Sequence, residues 1–136
     1  MAGISKKSLY GVMATYYIYK HEDECVVKSA EISDTLKIPK NYLEQILLLL
    51  KKNDILKSTR GANGGYQLKK DSEDISILQI IEVLDGGFFE IQIEEKKCVL
   101  SNFWQDMTND IRKVLNVPIS KLDDYNVNEY FGCCEV

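Results

Sequence analysis

A single glycine-rich run, Gly61-Ala62-Asn63-Gly64-Gly65, interrupts a chain that otherwise reads mostly as helix. It lies between Ile55-Leu56-Lys57-Ser58-Thr59-Arg60 and Tyr66-Gln67-Leu68-Lys69, two short runs with strand character. Asn-Gly is a hairpin signal because the turn needs residues that accept positive φ. The pattern therefore predicts one small β-hairpin set among helices. The hairpin is basic, with Lys57, Arg60, Lys69 and Lys70 and no acid between them. Because the glycines fall inside a hairpin and not at a helix start, they do not read as a phosphate cradle.

The helices come from spacing. Leu9, Val12, Met13, Tyr16, Tyr17 and Lys20 recur at three- and four-residue steps and predict a helix over about Ser5 to Lys20 with that face inward. His21-Glu22-Asp23-Glu24 reads as a solvated polar turn. A short helix follows at about Ser29 to Leu36, burying Ala30, Ile32 and Leu36. Lys37-Ile38-Pro39 breaks it, and the next helix starts at about Pro39, since proline is tolerated in a first turn. That helix runs to about Lys52 with Tyr42 or Leu43, Ile46, Leu47 and Leu50 inward. After the hairpin, Ser76 is placed to cap a helix that Gly86-Gly87 ends. Phe88 to Lys97 reads as loop or weak strand. A long helix spans Val99 to Leu115, and Pro118 breaks it. Ser120 is placed to cap a last short helix over Lys121 to Tyr125, and the tail from Asn126 to Val136 gives no element.

Charge first points away from nucleic acid, since the 136 residues carry a net −4. Divided at residue 70 it does not: residues 1–70 carry +5 and residues 71–136 carry −9. A basic half joined to an acidic half fits nucleic-acid contact by the first. The longest apolar run, Ile46 to Leu50, is too short to span a bilayer, and no signal peptide or penultimate-glycine acylation signal stands at the start. The chain is read as cytoplasmic, with no membrane partner and with Cys25, Cys98, Cys133 and Cys134 as reduced thiols. No metalloprotease His pair, Ser-His or Cys-His arrangement, or nucleotide-binding loop occurs, so no enzyme is expected.

The fold class is mainly α with a small β-hairpin: helix, helix, helix, basic hairpin, helix is the plan of a winged helix-turn-helix, here with a long C-terminal helix added. Residues 1–85 form the DNA-binding domain, and residues 86–136 form a loop, a helix and a tail. In this plan the second helix of the helix-turn-helix enters the major groove of double-stranded DNA. Lys40, Asn41, Tyr42, Glu44 and Gln45 stand near its start. Lys40 suits phosphate, Asn41 and Gln45 suit adenine, and Glu44 accepts from cytosine. Arg60, Gly61 and Asn63 form the tip of the wing, with Arg60 placed for a minor groove or a phosphate.

Four stretches add a resemblance: Ile4-Ser5 through Tyr10-Gly11, Tyr42-Leu43-Glu44-Gln45, Arg60 through Tyr66, and Ile80-Ile81-Glu82-Val83-Leu84-Asp85-Gly86. Together they resemble the Rrf-two family of bacterial winged-helix transcription regulators, over about residues 3 to 125. The resemblance implies a homodimeric regulator, a repressor reading a palindromic operator, whose long C-terminal helices pair. The apolar face of Leu100, Phe103, Trp104, Met107, Ile111 and Val114 fits that pairing. An alternative keeps the fold but makes it a protein-interaction module, docking an enzyme partner through the acidic half. A small effector is a further candidate partner.

Members of this family that hold an iron–sulfur cluster carry three cysteines before the long helix, the last six residues ahead of a Trp. Cys98 and Trp104 match that spacing, but Gly86 to Lys97 contains no cysteine, and Ser101 stands where one branch has a histidine. Cys98 is thus the only position matching a cluster ligand, and metal content is left open. No cofactor is the leading reading, and a cluster completed by Cys133 and Cys134 is the weaker one. A thiol sensor built on Cys25, Cys98 or the Cys133-Cys134 pair competes with it.

Overall fold

The computed structural model describes residues 4–22, 26–86 and 98–125. Cys25, Cys133, Cys134, the segment Phe88–Lys97 and the tail from Asn126 lie outside the described residues. The elements run α1 (Lys6–His21), α2 (Ser29–Leu36), α3 (Lys40–Lys52), β1 (Leu56–Thr59), β2 (Gly65–Leu68), a short 3-10 turn (Ser72–Asp74), α4 (Ile77–Asp85), α5 (Val99–Leu115) and a 3-10 segment (Ile119–Tyr125). This is the predicted plan, mostly helical with one antiparallel hairpin.

The core sits where α1, α3 and α4 meet. Leu43, Ile46, Leu47 and Leu50 bury one stripe of α3, as their spacing requires, while Tyr42 stays half-buried. The expected face of α1 is corrected. Leu9 is exposed and Val12 and Met13 only half-buried, whereas Ser8, Tyr10, Gly11, Ala14, Thr15, Tyr17 and Ile18 are buried together with Tyr16. The reason is that α1 is the central helix, packed by α3, α4, β2 and the last 3-10 segment. Its small residues admit those neighbours closely, and a hydrophobic stripe does not reveal a contact face made of Gly, Ala, Ser and Thr. Ala30 is likewise exposed, leaving Ile32 and Leu36 as the buried residues of α2.

Caps define the ends. Ser5 Oγ accepts the Ser8 amide at the start of α1 and donates to Asp85, the last residue of α4. Ser76 Oγ accepts the Gln79 amide at 3.0 Å, and Gly86, at φ 58°, ends α4. Pro39 is the cap of α3 and not its first residue. Ser120 does not cap a last helix; its hydroxyl donates to Glu73, and the 3-10 segment begins at Ile119.

In the hairpin, Leu56 pairs with Leu68, Lys57 with Gln67, Ser58 with Tyr66 and Thr59 with Gly65. The loop read over Gly61 to Gly65 is found one residue earlier. Five residues, 60–64, make it; positive φ falls on Gly61 at 107°, and the Gly64 amide donates to the Gly61 carbonyl at 2.9 Å. Val27, just before α2, adds a second short pairing, exchanging backbone hydrogen bonds with Tyr66 at 2.9 and 2.7 Å. A Cβ on Gly65 would lie 2.6 Å from the Val27 carbonyl oxygen, so this approach needs glycine.

The chain after α5 returns to the core. Ile77 and Val117, then Ile119 and Ile75, share backbone hydrogen bonds at 2.9 and 2.8 Å, and Ile119 is fully buried. By contrast, α5 itself has no buried residue. Arg112 pairs with Glu82 and ties it to α4.

Candidate nucleic-acid interface

The turn between α2 and α3 sets which side of α3 faces outward, and backbone geometry fixes it. Lys37 closes α2 in the left-handed region, at φ 58° and ψ 40°. The next residue, Ile38, is buried, and its carbonyl accepts from Ser33 Oγ at 2.6 Å. Pro39 then starts α3. With Leu43, Ile46, Leu47 and Leu50 facing the core, the opposite stripe of Lys40, Asn41, Glu44 and Gln45 is exposed. Tyr42 differs from them: its ring packs edge-on against Tyr10 at 5.9 Å and 78°, so part of it serves the core.

The wing carries Arg60, Gly61 and Asn63 at its tip, all exposed. Lys57 and Lys70 are exposed as well. Lys69 is taken up by Asp54 at 2.5 Å, and the hydrogen bond from Lys69 holds the Asp54 carboxyl below the usual carboxylate range. The sequence reading overlooked this neutralisation because Asp54 lies ahead of the first strand. Burial pushes the Tyr66 phenol up, and the Glu44 carboxylate of α3 adds to the rise. The helix α3 also packs against β1 of the wing.

Between the start of α2 and the wing lies an open groove of about 410 Å³, lined by Lys28, Ser29, Ser58, Thr59, Arg60 and Tyr66 among others. Among the described residues no side chain caps α2. Sequence reasoning missed Lys28 and Ser29; a cation directly before a helix start was the available signal. It also missed Glu22, whose carboxylate accepts the Leu68 amide at 2.9 Å and braces the wing from the end of α1. His21 belongs to packing: it stacks on Tyr17 at 4.1 Å and its Nδ1 donates to the Tyr17 carbonyl.

The family model for Rrf2, described as an iron-dependent transcriptional regulator, matches residues 4–122. The chain belongs to the Rrf2 family. The HTH-type transcriptional regulator IscR of Serratia proteamaculans (strain 568) is 31% identical over 120 residues, covering 83% of this chain and 73% of the relative. Among solved structures, CymR (YrzC), the global cysteine regulator of B. subtilis, matches with a TM-score of 0.83 at 28% identity, over 93% of this chain and all of that one. T. potens IscR matches with a TM-score of 0.77 at 31% identity, over 91% and 88%. The chain is thus a winged-helix transcriptional regulator and not an enzyme, and the docking-module alternative is not favoured.

The iron in the Rrf2 description calls for a test of fit. Among the described residues no cluster of three or more His, Cys, Asp or Glu side chains is arranged to hold a metal. Cys98 is exposed, and it serves as the cap of α5: its Sγ accepts the Ser101 amide at 3.4 Å, and its own amide donates to Ser101 Oγ at 2.9 Å. These bonds with Ser101 pull the Cys98 thiol below its ordinary range. A cluster needs about four ligands. The described residues supply one thiol, Cys98; the other three cysteines lie outside them. Among the described residues, too, no helix is long and apolar enough to cross a membrane.

Proposed function

We propose that the chain is a dimeric repressor that reads a palindromic operator in double-stranded DNA. Lys40, Asn41, Tyr42, Glu44 and Gln45 of α3 face the major groove, and Arg60, Gly61 and Asn63 of the wing reach the flanking minor groove or its phosphates. One observation carries this reading: the polar stripe at the start of α3 and the tip of the wing are both exposed, while the apolar stripe of α3 is wholly buried. The groove between Lys28-Ser29 and Arg60 supports it, since uncapped amides and a nearby cation suit a backbone phosphate.

Residues 1–85 do the reading and residues 86–136 the pairing, with 117–125 folded back onto the first unit. Leu100, Phe103, Trp104, Ile111 and Val114 are exposed along one face of α5, with Met107 half-buried among them. A second copy covers that face, and twofold pairing presents two reading heads to a palindrome.

The test is binding to duplexes that the protein itself selects from a random pool. Arg60→Ala and Asn41→Ala each weaken the selected duplex by about tenfold, one good contact's worth, and Asn41→Ala relaxes the preference at one position per half-site. Unchanged affinity in both variants sinks the reading.

A further inference from the structure

Four consecutive leucines, Leu47 to Leu50, end the apolar run of α3, and the core does not use them equally. Leu47 and Leu50 are fully buried, and Leu49 is half-buried against the core. Leu48 points the other way and is 47% exposed. Its neighbours one turn before and after are Glu44, Gln45, Lys51 and Lys52, all exposed and polar. Asn41 lies two turns earlier on nearly the same line, about 10 Å away at 1.5 Å per residue. A large apolar side chain thus stands one turn beyond the stripe assigned above to the major groove, on the same exposed side of α3.

Core packing does not account for it. Leu48 contributes little burial, and Lys, Gln or Glu there would favour the helix about as well as Leu does. What the major groove offers an apolar side chain is specific. Of the groups displayed on its floor, only the thymine C5-methyl is apolar; the others are hydrogen-bond donors and acceptors. Covering that methyl removes apolar surface of both partners from water.

We infer that Leu48 is a base-reading residue: it packs on the C5-methyl of a thymine in each half-site, deeper in the operator than the bases met by Asn41 and Gln45. This rests on the DNA-reading function proposed above. It adds a readout through methyl contact to one through hydrogen bonds, and it makes the operator's demand for thymine at that step depend on residue 48.

Deoxyuridine lacks only the thymine methyl, so it isolates the contact. In the duplex selected from a random pool, each thymine is replaced singly by deoxyuridine, and affinities are measured for wild type and Leu48→Ala. Circular dichroism and thermal melting of the variant check that it folds as the wild type does. At one or two thymines per half-site, loss of the methyl weakens wild type about fourfold, the worth of one buried methylene. Leu48→Ala binds the unmodified duplex at least as much more weakly, and at those positions deoxyuridine costs it nothing further. Equal penalties in the two proteins at every thymine overturn the inference and leave the proposed function standing. So does a change in oligomeric state with no methyl coupling, which would assign Leu48 to a protein contact. If no duplex is selected at all, the DNA-reading function falls first and this inference with it.

Discussion

At Asp123 a single carboxylate fastens the end of the described chain to its beginning. It accepts the Tyr16 and Tyr19 hydroxyls at 2.8 Å each and Lys20 Nζ at 3.1 Å. Burial pushes its pKa up, but the bonds from Tyr16, Tyr19 and Lys20 together pull it further down. Asp85 repeats the balance, burial raising it and the bonds from Ser5 lowering it more. Folding therefore favours both charged forms. Their stabilisation is full above the unfolded carboxylate pKa of about 4 and disappears as acid carries the pH down through the folded values. Thermal melts of Asp123→Asn then show a lower midpoint at neutral pH and a shallower loss of stability below about pH 4 than wild type. Asp123→Ala costs about 1–2 kcal/mol in urea melts, because it leaves the buried Tyr16 hydroxyl without that acceptor. None of this was legible in the sequence. Asp123 sits in a short run without periodicity, and its partners lie more than 100 positions away.

Among the elements, α5, like α2, has the extent that the sequence predicts, and it is where the fold leaves most unsatisfied. Its bounds, Val99–Leu115, follow from the three- and four-residue spacing of its apolar residues and from Pro118 beyond. Yet Phe103 is 53% and Val114 73% exposed. An apolar face this exposed supports the pairing proposed above. Phe103→Glu or Ile111→Glu therefore weakens self-association by about thirtyfold or more, the scale of one interface hot spot. Sedimentation at low micromolar concentration shows wild-type dimer and variant monomer, with the far-ultraviolet spectrum of the head retained. The opposite holds for α1, whose buried face was misread. Small residues chose that face, and they register only when the neighbours that press on them are known.

For the whole molecule the uneven charge becomes a field. The positive excess of residues 1–70 includes Lys28, Lys40, Lys57 and Arg60, exposed or beside the groove between α2 and the wing. Phosphate contacts release condensed counterions, so the logarithm of affinity falls linearly with the logarithm of salt concentration. Lys40→Ala and Arg60→Ala each lower that slope by about one per protomer in contact, as anisotropy titrations between 50 and 200 mM salt would read it. Lys69→Ala leaves the slope nearly unchanged, because Asp54 already neutralises Lys69. Sequence counting treats the four hairpin cations alike, and only the folded pairing separates them.

Period, punctuation and word order were enough to determine the element plan. The 3.6-residue spacing set the helices, Pro39, Gly86 and Pro118 marked ends, and the glycine-rich run between two short strands set the hairpin. Those signals are local, and local backbone preference suffices to read them. The tertiary structure alone decided which face of α1 is inward, that Val27 extends the wing, that Glu22 braces it and that residues 117–125 return to the core. Each of these is a contact between residues distant in the chain. Its energy comes from what the approaching element brings, and no single segment's pattern contains that.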